Sequence, residues 1–224
     1  MTSTRESSLR PWLAEGLRLQ LMRGLERRLH AAGFVRIAGV DEVGRGALAG
    51  PVVAAAVMVD SWTVVPGVDD SKRLAPKRRA RVATAVQRQH PCHALAAVSP
   101  REIDRLNILE ATRLAMRRAV AALDPAPDLV LVDAVALPGL GVPMLPLIRG
   151  DLVSYAVACA SIIAKVFRDN ILCSIDVLEP VYGFAGNKGY GSAQHRAALC
   201  VHGPGRHHRR SFRLQPIVRT GGQS

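Results

Sequence analysis

Two apolar runs in this chain end in carboxylates. Residues 35–40, apolar apart from Arg36, lead into Asp41-Glu42, and residues 129–132, all Leu or Val, lead into Asp133. A short run with no polar position reads as a strand buried on both faces, and such a sheet needs helices on each side. In α/β sheets ligands bind at the carboxyl ends of the strands, so Asp41 and Asp133 are expected to converge at one edge. A carboxylate at the end of a buried strand also needs a partner, because burying it alone is costly.

The remaining pattern fits a layered α/β domain. Leu9, Trp12, Leu13, Leu17, Leu21, Leu25 and Leu29 recur at three- and four-residue spacing, which predicts a packed helical arm within residues 1–33, beginning near Pro11. A glycine-rich turn over 44–51 then separates the first strand from a β-branched run over 52–59. Next come a basic amphipathic helix over 76–90, a strand over 93–98, and a helical period over 103–123 that Pro125 and Pro127 terminate. A strand over 144–148 leads to Gly150-Asp151 and a long helix over 154–178, stopped by Pro180. A glycine-dense connection and a short helix over 192–201 follow, then basic coil, with 214–224 expected as a flexible tail. Hairpin-like strands first and strand–helix alternation afterwards imply a mixed sheet.

Asp151 precedes the long helix, so four carboxylates, Asp41, Glu42, Asp133 and Asp151, are candidates for one site. Their convergence would be strongly unfavourable without cations, since like charges raise one another's pKa and a divalent ion relieves the repulsion. All-oxygen ligation points to Mg2+ or Mn2+ and away from zinc, and two such ions could activate a water and stabilise the leaving oxygen of a phosphodiester. Spacing alone leaves other roles open: Asp151 as a helix N-cap and Asp41-Glu42 as a solvated turn.

Charge is unevenly distributed. Residues 1–36 carry seven Arg against three Glu, residues 37–179 sixteen bases against fifteen acids, and residues 180–224 seven bases and no acid. A polyanion partner would suit the ends, as would simple solvation. The C-terminal region also holds His195, His202, His207 and His208, expected to add charge below about pH 6.5. With 49% apolar residues the chain is not disordered, and no stretch approaches the roughly 18 apolar residues of a membrane span. Cys92, Cys159, Cys173 and Cys200 form no CxxC pair, which predicts buried thiols in a reducing compartment and a soluble, cytoplasmic protein.

The segment over 38–57, which contains Asp41-Glu42-Val43-Gly44-Arg45-Gly46, resembles the opening signature of ribonuclease HII, the bacterial type 2 ribonuclease H. Four more segments resemble that family in order: Asp69-Asp70-Ser71-Lys72-Arg73-Leu74; residues 106–112; residues 150–169; and Lys188-Gly189-Tyr190-Gly191-Ser192 with His195 and Arg209-Arg210-Ser211-Phe212. The resemblance covers residues 34–213. It implies a ribonuclease H-like α/β fold, a mixed five-stranded sheet flanked by helices, with a C-terminal helical and basic segment on the same cleft.

It further implies a metal-dependent endoribonuclease that hydrolyses the RNA strand of RNA–DNA hybrids and incises 5′ to single ribonucleotides in duplex DNA, leaving 3′-hydroxyl and 5′-phosphate ends. The family's metal-binding acids correspond to Asp41, Glu42, Asp133 and Asp151. The Gly44-Arg45-Gly46 turn resembles its ribose-sensing loop, and Tyr190 its tyrosine that stacks on the sugar following the ribonucleotide. Ser71, Lys72, Lys165, Lys188 and Arg209 are candidate phosphate contacts, whereas Asp169 reads as structural. Ala134-Val135 departs from the glycine and polar residue common after the third acid. A monomer acting on nucleic acid, with no membrane partner, is expected. The competing classes are a metal nuclease of the same fold acting on DNA, and a catalytically silent nucleic-acid-binding module.

Overall fold

The structure is a computed structural model and describes residues 3–60 and 62–214, with side chains from Pro11 onward. Among these residues the strands form one five-stranded sheet in the order β3-β2-β1-β4-β5. They are β1 (Ile37–Val43), β2 (Val52–Val59), β3 (His93–Val98), β4 (Leu129–Asp133) and β5 (Met144–Leu147). The β1–β2 and β2–β3 pairs are antiparallel, and the β1–β4 and β4–β5 pairs are parallel. The mixed sheet expected from the alternation of elements is therefore present, and the eight residues over 44–51 join an antiparallel pair.

Helices cover both faces. Val53, Ala55, Val57 and Val59 of β2 pack with α3 (Pro76–Gln89) and α7 (Tyr155–Leu178), whereas Ala38, Val40, Ala54 and Ala56 pack with α4 (Pro100–Leu106) and α5 (Ile108–Ala121). This strand-by-strand division follows the period of two. At the sheet centre α7 comes so close to β1 that a Cβ on Gly39 would lie 2.1 Å from the carbonyl carbon of Ala156. Only glycine permits that approach.

The N-terminal arm is α1 (Ser3–Met22) followed by α2 (Gly24–Ala31). It is bolted to the sheet domain by two buried charged residues. Arg23 donates to the carbonyls of Thr63, at 2.8 Å, and Asp60. Glu26 accepts from the Ser154 hydroxyl at 2.6 Å and from the Ala156 amide at 3.0 Å. Ser154 Oγ in turn accepts from the Val157 amide at 3.2 Å, so two side chains cap the first turn of α7.

Several boundaries differ from expectation. Helix α1 runs through Pro11 instead of starting there; proline forfeits one backbone bond, but its fixed φ is helical. The single helix expected over 103–123 is two, because Asn107 takes φ 68° and its Oδ1 accepts from the Leu109 and Glu110 amides, starting α5 afresh. Ser99 and Glu102 form a reciprocal capping box for α4, a start signal upstream of the expected helix. Asp151 caps nothing: it lies in the short helix α6 (Gly150–Val153). The basic coil after α9 (Ala193–His202) is packed, with Ala49 and His208 bridged and the Arg209 amide donating to Leu48 O at 2.9 Å. Of the four free thiols only Cys159 is buried; Cys173 and Cys200 are exposed. The tail expected over 214–224 lies, apart from Leu214, outside the described residues. No helix among the described residues is long and apolar enough to cross a membrane.

Gly39→Ala is expected to lower stability by roughly 3 kcal/mol or more in denaturant unfolding, because helix backbone cannot yield as a side chain can. Gly46→Ala, where a Cβ meets nothing within 4 Å, is the control and should stay within about 1 kcal/mol.

Candidate active site

Parallel register brings the acids together. β1 and β4 pair Val40 with Val132, so the next residues, Asp41 and Asp133, stand side by side at the carboxyl ends of adjacent strands. The period of two puts Asp41 on the same face as Gly39, toward α7, and Asp133 on the same face as Leu131, which packs with Val157 of α7. A cavity of about 410 Å³ opens there, lined by Asp41, Glu42, Val43, Ser71, Lys72, Asp133, Asp151, Ser161, Lys165 and Tyr190. All four candidate carboxylates line it.

Burial and mutual repulsion act on these acids as expected for crowded like charges. Asp41 is pushed well above the usual carboxylate range, first by burial and then by the charge of Glu42, against hydrogen bonding from Ser161. Burial also raises Glu42, opposed by Arg45 at 3.3 Å. Asp151 is raised by burial and by the charges of Asp70 and Asp133, with Lys72 opposing. Asp133 is oriented by the Gly150 amide, which donates to its Oδ1 at 2.8 Å. The chain turns sharply after it, with Ala134 at φ 49°, a conformation that favours the glycine this sequence lacks.

Among the described residues no three His, Cys, Asp or Glu side chains are drawn into a closed metal cage. The donor set nevertheless suits a hard divalent cation: oxygen atoms only, a surplus of negative charge, and room for the waters that Mg2+ retains.

The basic side comes from α7. Lys165 pairs with Asp169 at 2.7 Å, and Asp169 also holds Arg79 at 3.3 Å, which agrees with a structural role for Asp169. Tyr190, still 37% exposed, lies on the cations of this helix, its ring centroid 5.4 Å from Arg168 Cζ and 5.9 Å from Lys165 Nζ. The Gly44–Gly46 turn follows directly on Val43 of the cavity wall. Gly44 has φ 97° and no room for a side chain, since a Cβ would meet the Arg168 guanidinium; Gly46 stands open.

The family model described as Ribonuclease HII matches residues 38–215. A ribonuclease HII from Moorella thermoacetica is 47% identical over 205 residues, which span 92% of this chain and 100% of that protein. The chain belongs to the ribonuclease HII family. A second relative, a ribonuclease HII from Verminephrobacter eiseniae, is 51% identical over 191 residues, covering 85% of this chain and 90% of that one. The ribonuclease H2 of Pyrococcus horikoshii OT3 superposes with a TM-score of 0.68 at 27% identity, covering 80% of this chain and 95% of that one. The fold is thus ribonuclease H-like, and membership in the family makes the chain a ribonuclease H, an endonuclease and hydrolase acting on nucleic acid.

Two of the residues expected to contact phosphate lie apart from the carboxylate cavity. Arg209 is fully buried, donating to Gly50 O at 3.0 Å and Arg45 O at 2.9 Å; its guanidinium binds the turn from beneath and is not a surface cation. Lys188 lies in an adjoining groove with Lys72, Arg79, Lys165 and Cys173, its ammonium 3.0 Å from the Cys173 sulfur. Ser71 lines the cavity but is buried, 2.9 Å from Ser161 Oγ. His195 and His208 are buried, and burial lowers both pKa values, that of His208 to about 4, so both resist taking a proton more than a free imidazole does. Ser161 was not among the expected site residues. Its signal was available four residues before Lys165, on the same face of one helix.

A carboxylate whose pKa is higher folded than unfolded holds its proton more tightly in the native chain, so stability falls as pH rises through that window. The contribution of Asp41 to metal-free stability should therefore fall from about pH 4 upward, read as the difference in melting temperature between wild type and Asp41→Asn across pH. Asp41→Asn should raise the metal-free melting temperature at pH 7.5 by roughly 2–4 °C in calorimetry, and Mg2+ should stabilise wild type more than the variant.

Proposed function

We propose that this chain hydrolyses the RNA strand of RNA–DNA hybrids and incises 5′ to single ribonucleotides in duplex DNA, leaving 3′-hydroxyl and 5′-phosphate ends. Asp41, Glu42, Asp133 and Asp151 hold two divalent ions, Mg2+ or Mn2+. The reading rests chiefly on the side-by-side placement of Asp41 and Asp133 at the ends of β1 and β4, in a cavity shared with Glu42 and Asp151. Such ions supply an activated water and charge stabilisation at the leaving oxygen.

The chain's own groups set what is cut. Gly46, with open space above it, lets backbone approach a 2′-hydroxyl, and Gly44 and Arg45 shape that turn. Tyr190 meets the sugar that follows the ribonucleotide, its ring braced by Arg168 and Lys165. Lys72 and Lys165 in the cavity, and Lys188 in the adjoining groove, contact phosphates, while Ser71 orients Ser161 beside Asp41. The enzyme acts as a monomer in the cytoplasm and serves ribonucleotide removal and genome maintenance.

Duplexes carrying zero, one or many ribonucleotides, incubated with Mg2+ or Mn2+, test the reading. Cleavage is expected only where a ribonucleotide is present, to vanish with EDTA, and to weaken steeply with salt. Equal cutting of all-DNA duplex would make the chain a DNA nuclease, and no cutting of any duplex would leave a binding module. Asp133→Asn should lower kcat by at least about 100-fold.

A further inference from the structure

Beneath Tyr190 lies a buried chain of hydrogen bonds that the catalytic reading does not use. The Gly205 amide donates to His208 Nδ1 at 3.0 Å, which places the His208 proton on Nε2. That nitrogen lies 3.0 Å from His195 Nε2, and His195 Nδ1 lies 2.8 Å from the Tyr190 carbonyl oxygen. One assignment satisfies every contact. His208 Nε2–H donates to His195 Nε2, and His195 Nδ1–H donates to Tyr190 O.

The pair is sealed from water. His195 is 0% and His208 2% exposed, and Tyr182 and Phe184 wall them in, with ring centroids 4.6 Å from His208 and 5.4 Å from His195 respectively. Protonating His195 would set its Nε2–H against His208 Nε2–H, and protonating His208 would set its Nδ1–H against the Gly205 amide, each across a 3.0 Å contact. Burial and the neighbouring imidazole oppose that protonation, and the Glu179 carboxylate that would favour it is bound by His207 at 3.0 Å and the Arg206 amide. Arg196 opposes it further at His195.

Both ends of this chain reach substrate-reading loops. His208 is bridged to Ala49 at the end of the glycine turn, and the Leu48 and Ala49 amides both donate to Gly189 O, next to Tyr190. We propose that His195 and His208 are positioning residues: the neutral imidazole pair fixes the Tyr190 backbone relative to the Gly44–Gly46 turn and so sets the enzyme's preference for an RNA-to-DNA junction. The proposal rests on the reading of Tyr190 given above.

The test is a double-mutant cycle on the full chain in Mg2+, measuring kcat/KM for a duplex with one ribonucleotide followed by DNA against a hybrid with a continuous RNA strand. His208→Leu should lower this ratio about fivefold, the effect of one hydrogen bond, and should add little in a Tyr190→Ala background. His208→Gln, which retains a donor of similar reach, should restore the ratio to within about twofold. A folded His208→Leu protein with the wild-type ratio, or an equal loss with and without Tyr190, overturns the proposal alone. An unchanged ratio in Tyr190→Ala overturns the reading of Tyr190 and the proposal with it. Nitrogen-15 NMR of the wild-type imidazoles needs no variant. Neutral rings at pH 7, with the proton on Nδ1 of His195 and Nε2 of His208, support the pair, and a charged ring or the opposite tautomer overturns it.

Discussion

The backbone approach of α7 onto β1 at Gly39 is the constraint on which the rest of the structure depends. It seats the first turn of a 24-residue helix over the sheet centre, and every later turn then has a fixed destination. Ser161 reaches the neighbourhood of Asp41, Lys165 enters the cavity, and Arg168 passes beneath the glycine turn. The N-terminal arm serves the same contact from the other side, since Glu26 holds the amide of Ala156, the residue against which Gly39 packs.

A second constraint is the use of buried arginines as backbone connectors. Arg168 donates to Pro51 O at 2.9 Å, Lys188 O at 2.9 Å and Ala49 O at 3.1 Å, and Arg209 donates to Gly50 O and Arg45 O. Three loops distant in sequence are thereby joined through carbonyls, which a planar guanidinium with several donors does better than an ammonium. The charge that makes the C-terminal region basic is thus partly spent inside the protein. Lys72, Lys165 and Lys188 instead line the carboxylate cavity or the groove that adjoins it.

The cavity balances repulsion against support. Asp41, Glu42 and Asp151 are all driven toward the protonated state by burial and by neighbouring acids, while Ser161, Arg45 and Lys72 each oppose the shift at one of them. Added positive charge relieves a site so arranged, and its oxygen donors are of the kind that suits a divalent ion.

Much of this was legible in the residues themselves. The apolar runs ending in Asp41 and Asp133, the glycine turn between two strands and the small-residue helix before Pro180 each report a local period or a local polarity, and each element formed where that pattern lies. Asn107 and Ser99 split and restarted a helix because side-chain caps override period at single positions. Tertiary structure alone decided that Val40 pairs with Val132, setting Asp41 beside Asp133, and that Arg209, His195 and His208 turn inward. The reason is physical: a pattern shows which residues carry charge, but whether that charge faces water depends on which distant carbonyls, amides and rings close around it.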